Sequence, residues 1–141
     1  MFRAVTLIAV LTLTAAPAFA IEPGADASVS LTFETGSDTG AVMVALYDEA
    51  TYDGGQPVRA ARIDVAGGEC SVTFDGLPDG DYGVKAFHDV NGNGRMDTNP
   101  FGMPTEPFAF SNNAVGNMGP ASWDRARFAV TGETAQTISI R

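Results

Sequence analysis

Oxygen-bearing side chains stand at Asp89, Asn91, Asn93 and Asp97 in the run Asp89-Val90-Asn91-Gly92-Asn93-Gly94-Arg95-Met96-Asp97. A hard cation needs several oxygens at short range, and alternate residues of a tightly wound loop point inward together. Gly94 allows backbone angles that a side chain would forbid. In this reading Asp89, Asn91, Asn93 and Asp97 supply side-chain oxygens, Arg95 supplies its carbonyl, and Glu106 is available as a seventh ligand. The pattern fits the first nine places of a calcium loop. It fails at the twelfth, where Pro100 replaces the bidentate glutamate of an EF-hand and Asn99-Pro100 opposes the exiting helix. With few charges in the loop, calcium affinity is expected in the weak extracellular class, on the order of 0.1 to 1 mM. The same residue types also build hairpin turns without any metal, so a metal-free turn stands beside the calcium reading.

Other chemistry is thinly represented. His88 is the one histidine, and with a single distant cysteine it disfavours zinc, which takes three or four nitrogen and sulfur ligands. Its alternative role is a strand-end histidine bonded locally. A hydrolase would have to pair His88 with Ser111 or Ser122, and no Gly-x-Ser-x-Gly elbow is present. The expectation is therefore a protein without catalysis. Asn112 and Asn113 are read as residues that bond loop backbone rather than as ligands.

These residues need elements to hold them, and the pattern is that of strands. Val29, Leu31 and Phe33 alternate with polar residues, and residues 41–47, 60–65 and 70–74 follow with turn residues between them. Residues 36–40 read as the turn of a first hairpin, and Gly67-Gly68 as the turn of a second. Tyr82, Val84, Ala86 and His88 share one face of the next strand. Residues 126–130 and 137–140, joined through Gly132, complete about seven strands. The fold class expected is all-β: a single antiparallel, immunoglobulin- or prealbumin-like sandwich. One long ordered loop, 99–125, carries four prolines together with Phe101, Met103, Phe108, Phe110, Met118 and Trp123. These side chains are expected mostly to pack beneath it. Cys70 alternates with Val72 and Phe74 and reads as a buried small hydrophobe.

The ends and the charge narrow the setting. Arg3, the apolar residues 5–16 and Ala18-Phe19-Ala20 have the form of a secretory signal peptide over 1–20, leaving one domain over 21–141. No stretch is long enough to span a membrane. Losing Arg3 would take the formal charge from -9 to -10, which argues against nucleic acid and anionic lipid as partners. A periplasmic or secreted location follows, with a protein or a glycan as the expected partner. One cysteine allows no intrachain disulfide, so a cation would be a substitute clip.

Two resemblances appear at these residues. Phe74-Asp75-Gly76-Leu77-Pro78-Asp79-Gly80-Asp81-Tyr82 resembles the signature of prealbumin-like carboxypeptidase-regulatory and collagen-adhesin repeat domains, which implies a β-sandwich and no activity. Ala45-Leu46-Tyr47, residues 86–94, Gly102-Met103-Pro104-Thr105-Glu106 and residues 110–114 resemble the exported bacterial family catalogued as domain of unknown function 2141. That likeness implies an exported sandwich and no particular substrate. Trp123 and Pro107 depart from the residues expected there, phenylalanine and glycine.

Overall fold

A computed structural model describes residues 26–140, so the expected signal peptide lies outside the described residues. Eight strands run β1 (Ala27–Thr35), β2 (Ala41–Tyr47), β3 (Arg59–Asp64), β4 (Ser71–Leu77), β5 (Gly80–Asp89), β6 (Phe108–Phe110), β7 (Phe128–Val130) and β8 (Glu133–Ile140), with a 3-10 turn at Ser111–Asn113 and one short α-helix, α1 (Trp123–Ala126). The alternation of β1 is realised as expected, with Ala27, Val29, Leu31 and Phe33 all buried. These side chains meet Val42, Val44 and Leu46 of β2 and Val84 and Ala86 of β5 in one apolar cluster. Two sheets therefore pack face to face, with β1 giving every second residue to the core.

The sheets are ordered β4-β1-β8 and β3-β2-β5-β6, with β7 also on β5. Three expectations change. The strands number eight, because the three-residue β6 lies inside the expected loop 99–125 and is too short to show alternation. The fold is not purely antiparallel: β1 and β8 run parallel, Ser28 opposite Glu133 through Thr35 opposite Ile140. The residue 36–40 and Gly67-Gly68 turns are not hairpins. β1 and β2 lie in different sheets, as do β3 and β4, so both turns carry the chain across the core. Alternation reveals which face of a strand is buried but not which strand lies beside it. At the C-terminal end, Ala126 belongs to α1, and β8 begins four residues before the expected 137.

β6 and β7 occupy two stretches of one edge of β5, pairing with Lys85–Phe87 and Gly80–Tyr82 respectively. Between them the Val84 N–H has no strand carbonyl and donates instead to Ser111 Oγ at 2.8 Å. Ser111 is fully buried and its hydroxyl donates in turn to the Ala126 carbonyl, tying α1 to the sheet. Among the described residues no helix is long and apolar enough to cross a membrane.

Candidate functional site

Asp89 ends β5 opposite Ala41 of β2, so the loop that follows leaves a well-fixed strand end. Its carboxylate is buried, 1% exposed. Oδ1 accepts from the Asn93 N–H at 3.2 Å and Oδ2 from the Gly94 N–H at 2.7 Å. Asn91 Oδ1 accepts from the Asn93 N–H at 3.2 Å, and Asn93 Oδ1 from the Arg95 N–H at 3.0 Å. Each oxygen thus binds the backbone two to five residues ahead and winds the chain inward, the local use for which Asp and Asn are suited. Gly92 and Gly94 take φ of 72° and 82°, the left-handed turn that lets the loop close. Asp97 then accepts on both oxygens, from Asn91 Nδ2 at 2.5 Å and Asn93 Nδ2 at 2.7 Å. The structure therefore links Asp89, Asn91, Asn93 and Asp97 in one hydrogen-bonded loop, which Arg95 joins through its N–H while its side chain is exposed.

Glu106 joins them through a second turn. The Thr105 N–H donates to the Asp97 carbonyl and the Asn99 N–H to the Met103 carbonyl, both at 2.8 Å, and Thr98 bridges Pro104. Asn99 Oδ1 accepts from the Phe101 and Met103 N–H groups at 2.9 and 3.0 Å. This small hairpin returns the chain, and Glu106 Oε2 accepts from the Asp97 N–H at 3.2 Å. Glu106 is only 8% exposed, and its Oε1 is buried with no hydrogen-bond partner. Leaving a buried carboxylate oxygen unpaired costs about 1–3 kcal/mol or more. Among the described residues, no group of three or more His, Cys, Asp and Glu side chains stands close enough to hold a metal by those groups alone. The groups that meet Asp97 are the Asn91 and Asn93 amide nitrogens, while the amide oxygens face the Asn93 and Arg95 N–H groups. Carboxylates and amides without sulfur or imidazole are oxygen chemistry suited to calcium and not to zinc.

His88 is buried and its Nε2 lies 2.6 Å from the Thr39 carbonyl: it is a bonded strand-end histidine, but its partner lies in the β1-to-β2 crossing and is not the local one expected. Ser111 uses its hydroxyl twice in structural bonds, at the level of Val84. His88 is four residues further along β5, about 13 Å away at strand rise, so the two do not form a nucleophile and base. Asn112 donates to the Arg125 and Arg127 carbonyls at 3.0 and 2.8 Å, and Asn113 Oδ1 accepts from the Ser139 N–H at 2.8 Å. Both take left-handed φ, 62° and 50°, which asparagine tolerates. Both bond backbone as expected, but their partners lie at α1 and in β8 and not in the nearby loop.

Two expectations fail. Cys70 is exposed, because β4 begins at Ser71 and the alternation ends one residue short of it. Of the aromatic and methionine residues in the long segment, Phe110 and Trp123 pack with Tyr52, Ala121 and Ala126 in a second cluster. Phe101, Met103 and Met118 do not; Phe101 is 89% exposed and Met103 63%. Phe101 and Met103 sit at the turn of the hairpin between Asp97 and Glu106, which projects them away from the sheets.

Sequence reasoning passed over Tyr52 and Lys85. Tyr52 donates its hydroxyl to the Ala121 carbonyl at 2.7 Å, and its ring lies on Gly83, where an added Cβ would come within 2.9 Å of it. Burial, helped by Asp53 and then Tyr47, pushes its phenol up to about 12. Lys85 Nζ stands 4.1 Å from the Tyr52 ring centroid and 5.0 Å from that of Tyr47. Burial lowers its pKa against the pull of Asp53. A lone polar position between Val84 and Ala86 was the only available signal.

The model of the family of uncharacterized proteins conserved in bacteria (DUF2141) matches residues 34–139, and the chain belongs to that family. The matched span takes in the 89–97 loop, the hairpin and Glu106. No curated protein and no solved structure matches the chain.

Proposed function

We propose that this chain is a non-catalytic exported module whose 89–97 loop, completed by Glu106, takes a calcium ion. The ion would hold the hairpin between Asp97 and Glu106 so that its exposed Phe101 and Met103 are presented to a protein or glycan partner. The observation that carries this reading is the Glu106 carboxylate, buried beside Asp97 with Oε1 unpartnered. A divalent cation would supply what that oxygen lacks and offset the adjoining charges of Asp97 and Glu106. The amides of Asn91 and Asn93 direct Nδ2 at Asp97. A half-turn would direct Oδ1 there instead, at the cost of the bonds that Oδ1 accepts from the Asn93 and Arg95 N–H groups, so cation binding through these amides would rearrange the loop.

The rival reading is a metal-free accessory domain, favoured by the fact that Asp97 is already satisfied on both oxygens by those amides. For the fold kinship we infer a prealbumin-like sandwich; support comes from Tyr82, which donates to the Pro78 carbonyl at 2.7 Å across the Leu77-to-Gly80 turn of the resembling motif. Export and a periplasmic or secreted location belong to the same reading, supported by the leader-like residues 1–20.

Isothermal titration with calcium and with magnesium tests the cation. One site per chain, with calcium preferred and lost in an Asp89→Ala, Asp97→Ala double variant, is the expected result. No heat above dilution at millimolar calcium would return the loop to a plain turn.

A further inference from the structure

The 89–97 loop shares its end of the fold with both turns that cross between the sheets there, and Gly40 touches all three. Its φ is 67°, and a side chain at this position would run into the Asp89 carbonyl oxygen and come within 2.9 Å of the Val90 carbonyl oxygen. Its own carbonyl accepts from the Ala66 N–H, in the β3-to-β4 crossing, at 3.1 Å. One residue earlier, the Thr39 carbonyl bonds His88 Nε2 at 2.6 Å. The backbone that carries the loop's first carboxylate is therefore clamped by the β1-to-β2 crossing, and that crossing is bonded to the β3-to-β4 one.

We propose that Gly40 is a positioning residue for the cation loop and that the corner at Thr39-Gly40 couples cation binding to the two inter-sheet crossings. This rests on the calcium reading above. Any residue with a Cβ at 40 must push Asp89 and Val90 outward, moving the end of β5 from which Asp89 presents its carboxylate. Conversely, an ion that fixes Asp89 fixes the surface against which Gly40 sits, and with it the Gly40 carbonyl to which Ala66 is bonded. Glycine is required here twice, for the left-handed φ and for the close approach.

Amide hydrogen exchange of the full chain, with and without calcium, reads the coupling directly. Calcium at ten times its Kd is expected to slow exchange about tenfold at Gly94 in the loop and at Ala66, whose hydrogen bond runs to Gly40 and not to the loop. At Ser28, bonded to the Gly132 carbonyl in the β7-to-β8 crossing, the slowing should be smaller. Protection at Gly94 with Ala66 unchanged, or equal slowing at all three, overturns the coupling and leaves the cation site standing. No protection anywhere removes the cation reading and the coupling with it. Gly40→Ala is expected to weaken calcium binding at least about tenfold with every ligand intact, in the manner of other outer-layer changes at metal sites. A folded Gly40→Ala protein that binds calcium as tightly as the parent contradicts the proposal, and should that variant not fold, the exchange pattern of the unaltered chain decides.

Discussion

Glu106 Oε2 accepts the Asp97 N–H at 3.2 Å while Oε1 of the same carboxylate is buried with no partner. The two residues are nine apart and meet because the hairpin between them closes on the Thr105-to-Asp97 backbone bond. A half-satisfied buried carboxylate opposes folding unless something positive stands beside it. Glu106→Gln should therefore hold or raise the melting temperature in chelator, since the charge is gone, and reduce the gain from calcium by the equivalent of about tenfold in affinity. Melts of parent and variant in chelator and in calcium check both halves; an undiminished calcium gain in Glu106→Gln removes Glu106 from the ligand set.

Asn113 lies along the outer edge of β8, its Oδ1 on the Ser139 N–H at 2.8 Å and its Nδ2 3.5 Å from the Thr137 carbonyl. It occupies the positions a neighbouring strand would take. Asn113→Ala should lower stability by about 1 kcal/mol and expose a strand edge that pairs between molecules. Urea unfolding and light scattering measure the two effects.

Alkaline pH should find Tyr52. Its folded pKa of about 12 lies above the ordinary tyrosine value of 10.0, so the neutral phenol is favoured in the fold. The stability it brings is whole below pH 10 and falls as the pH rises toward about 12. Tyr82 is raised too and adds in the same direction, whereas Lys85, whose charged form the fold disfavours, sheds its cost as the pH climbs toward 10.5. Spectrophotometric titration should show the Tyr52 phenolate forming well after exposed phenols ionise. A single transition near pH 10 for every tyrosine would contradict the burial assigned to it.

Cys70 is exposed and stands alone in the sequence. A thiol reagent should modify it in the native protein as fast as in urea, to within a few-fold, because burial is what slows such reactions. Strong native protection would show that the start of β4 is covered.

The sequence made strand positions legible because the core is filled by alternate residues, as at Val29, Leu31 and Phe33. It made the loop legible because Asp89, Asn91 and Asn93 act on backbone, and Asp97 on the two asparagine side chains, only a few residues away. Pairing was hidden, since β1 lies beside β8, across nearly the whole chain, for reasons of register that no local pattern carries. The role of Gly40 was hidden likewise: nothing near it in sequence reveals that Asp89 and Ala66 converge there. Cys70 misled because the alternation of β4 extrapolates one residue too far.

The account stands on the loop holding calcium, and thermal unfolding of the protein in chelator, in millimolar calcium and in millimolar magnesium tests that most directly. A site filled at ten times its Kd adds about 1.4 kcal/mol. The prediction is a rise in melting temperature with calcium, smaller with magnesium and absent from an Asp89→Ala, Asp97→Ala double variant. Superimposable curves in chelator and calcium would contradict the account and leave a hydrogen-bonded turn at the end of β5.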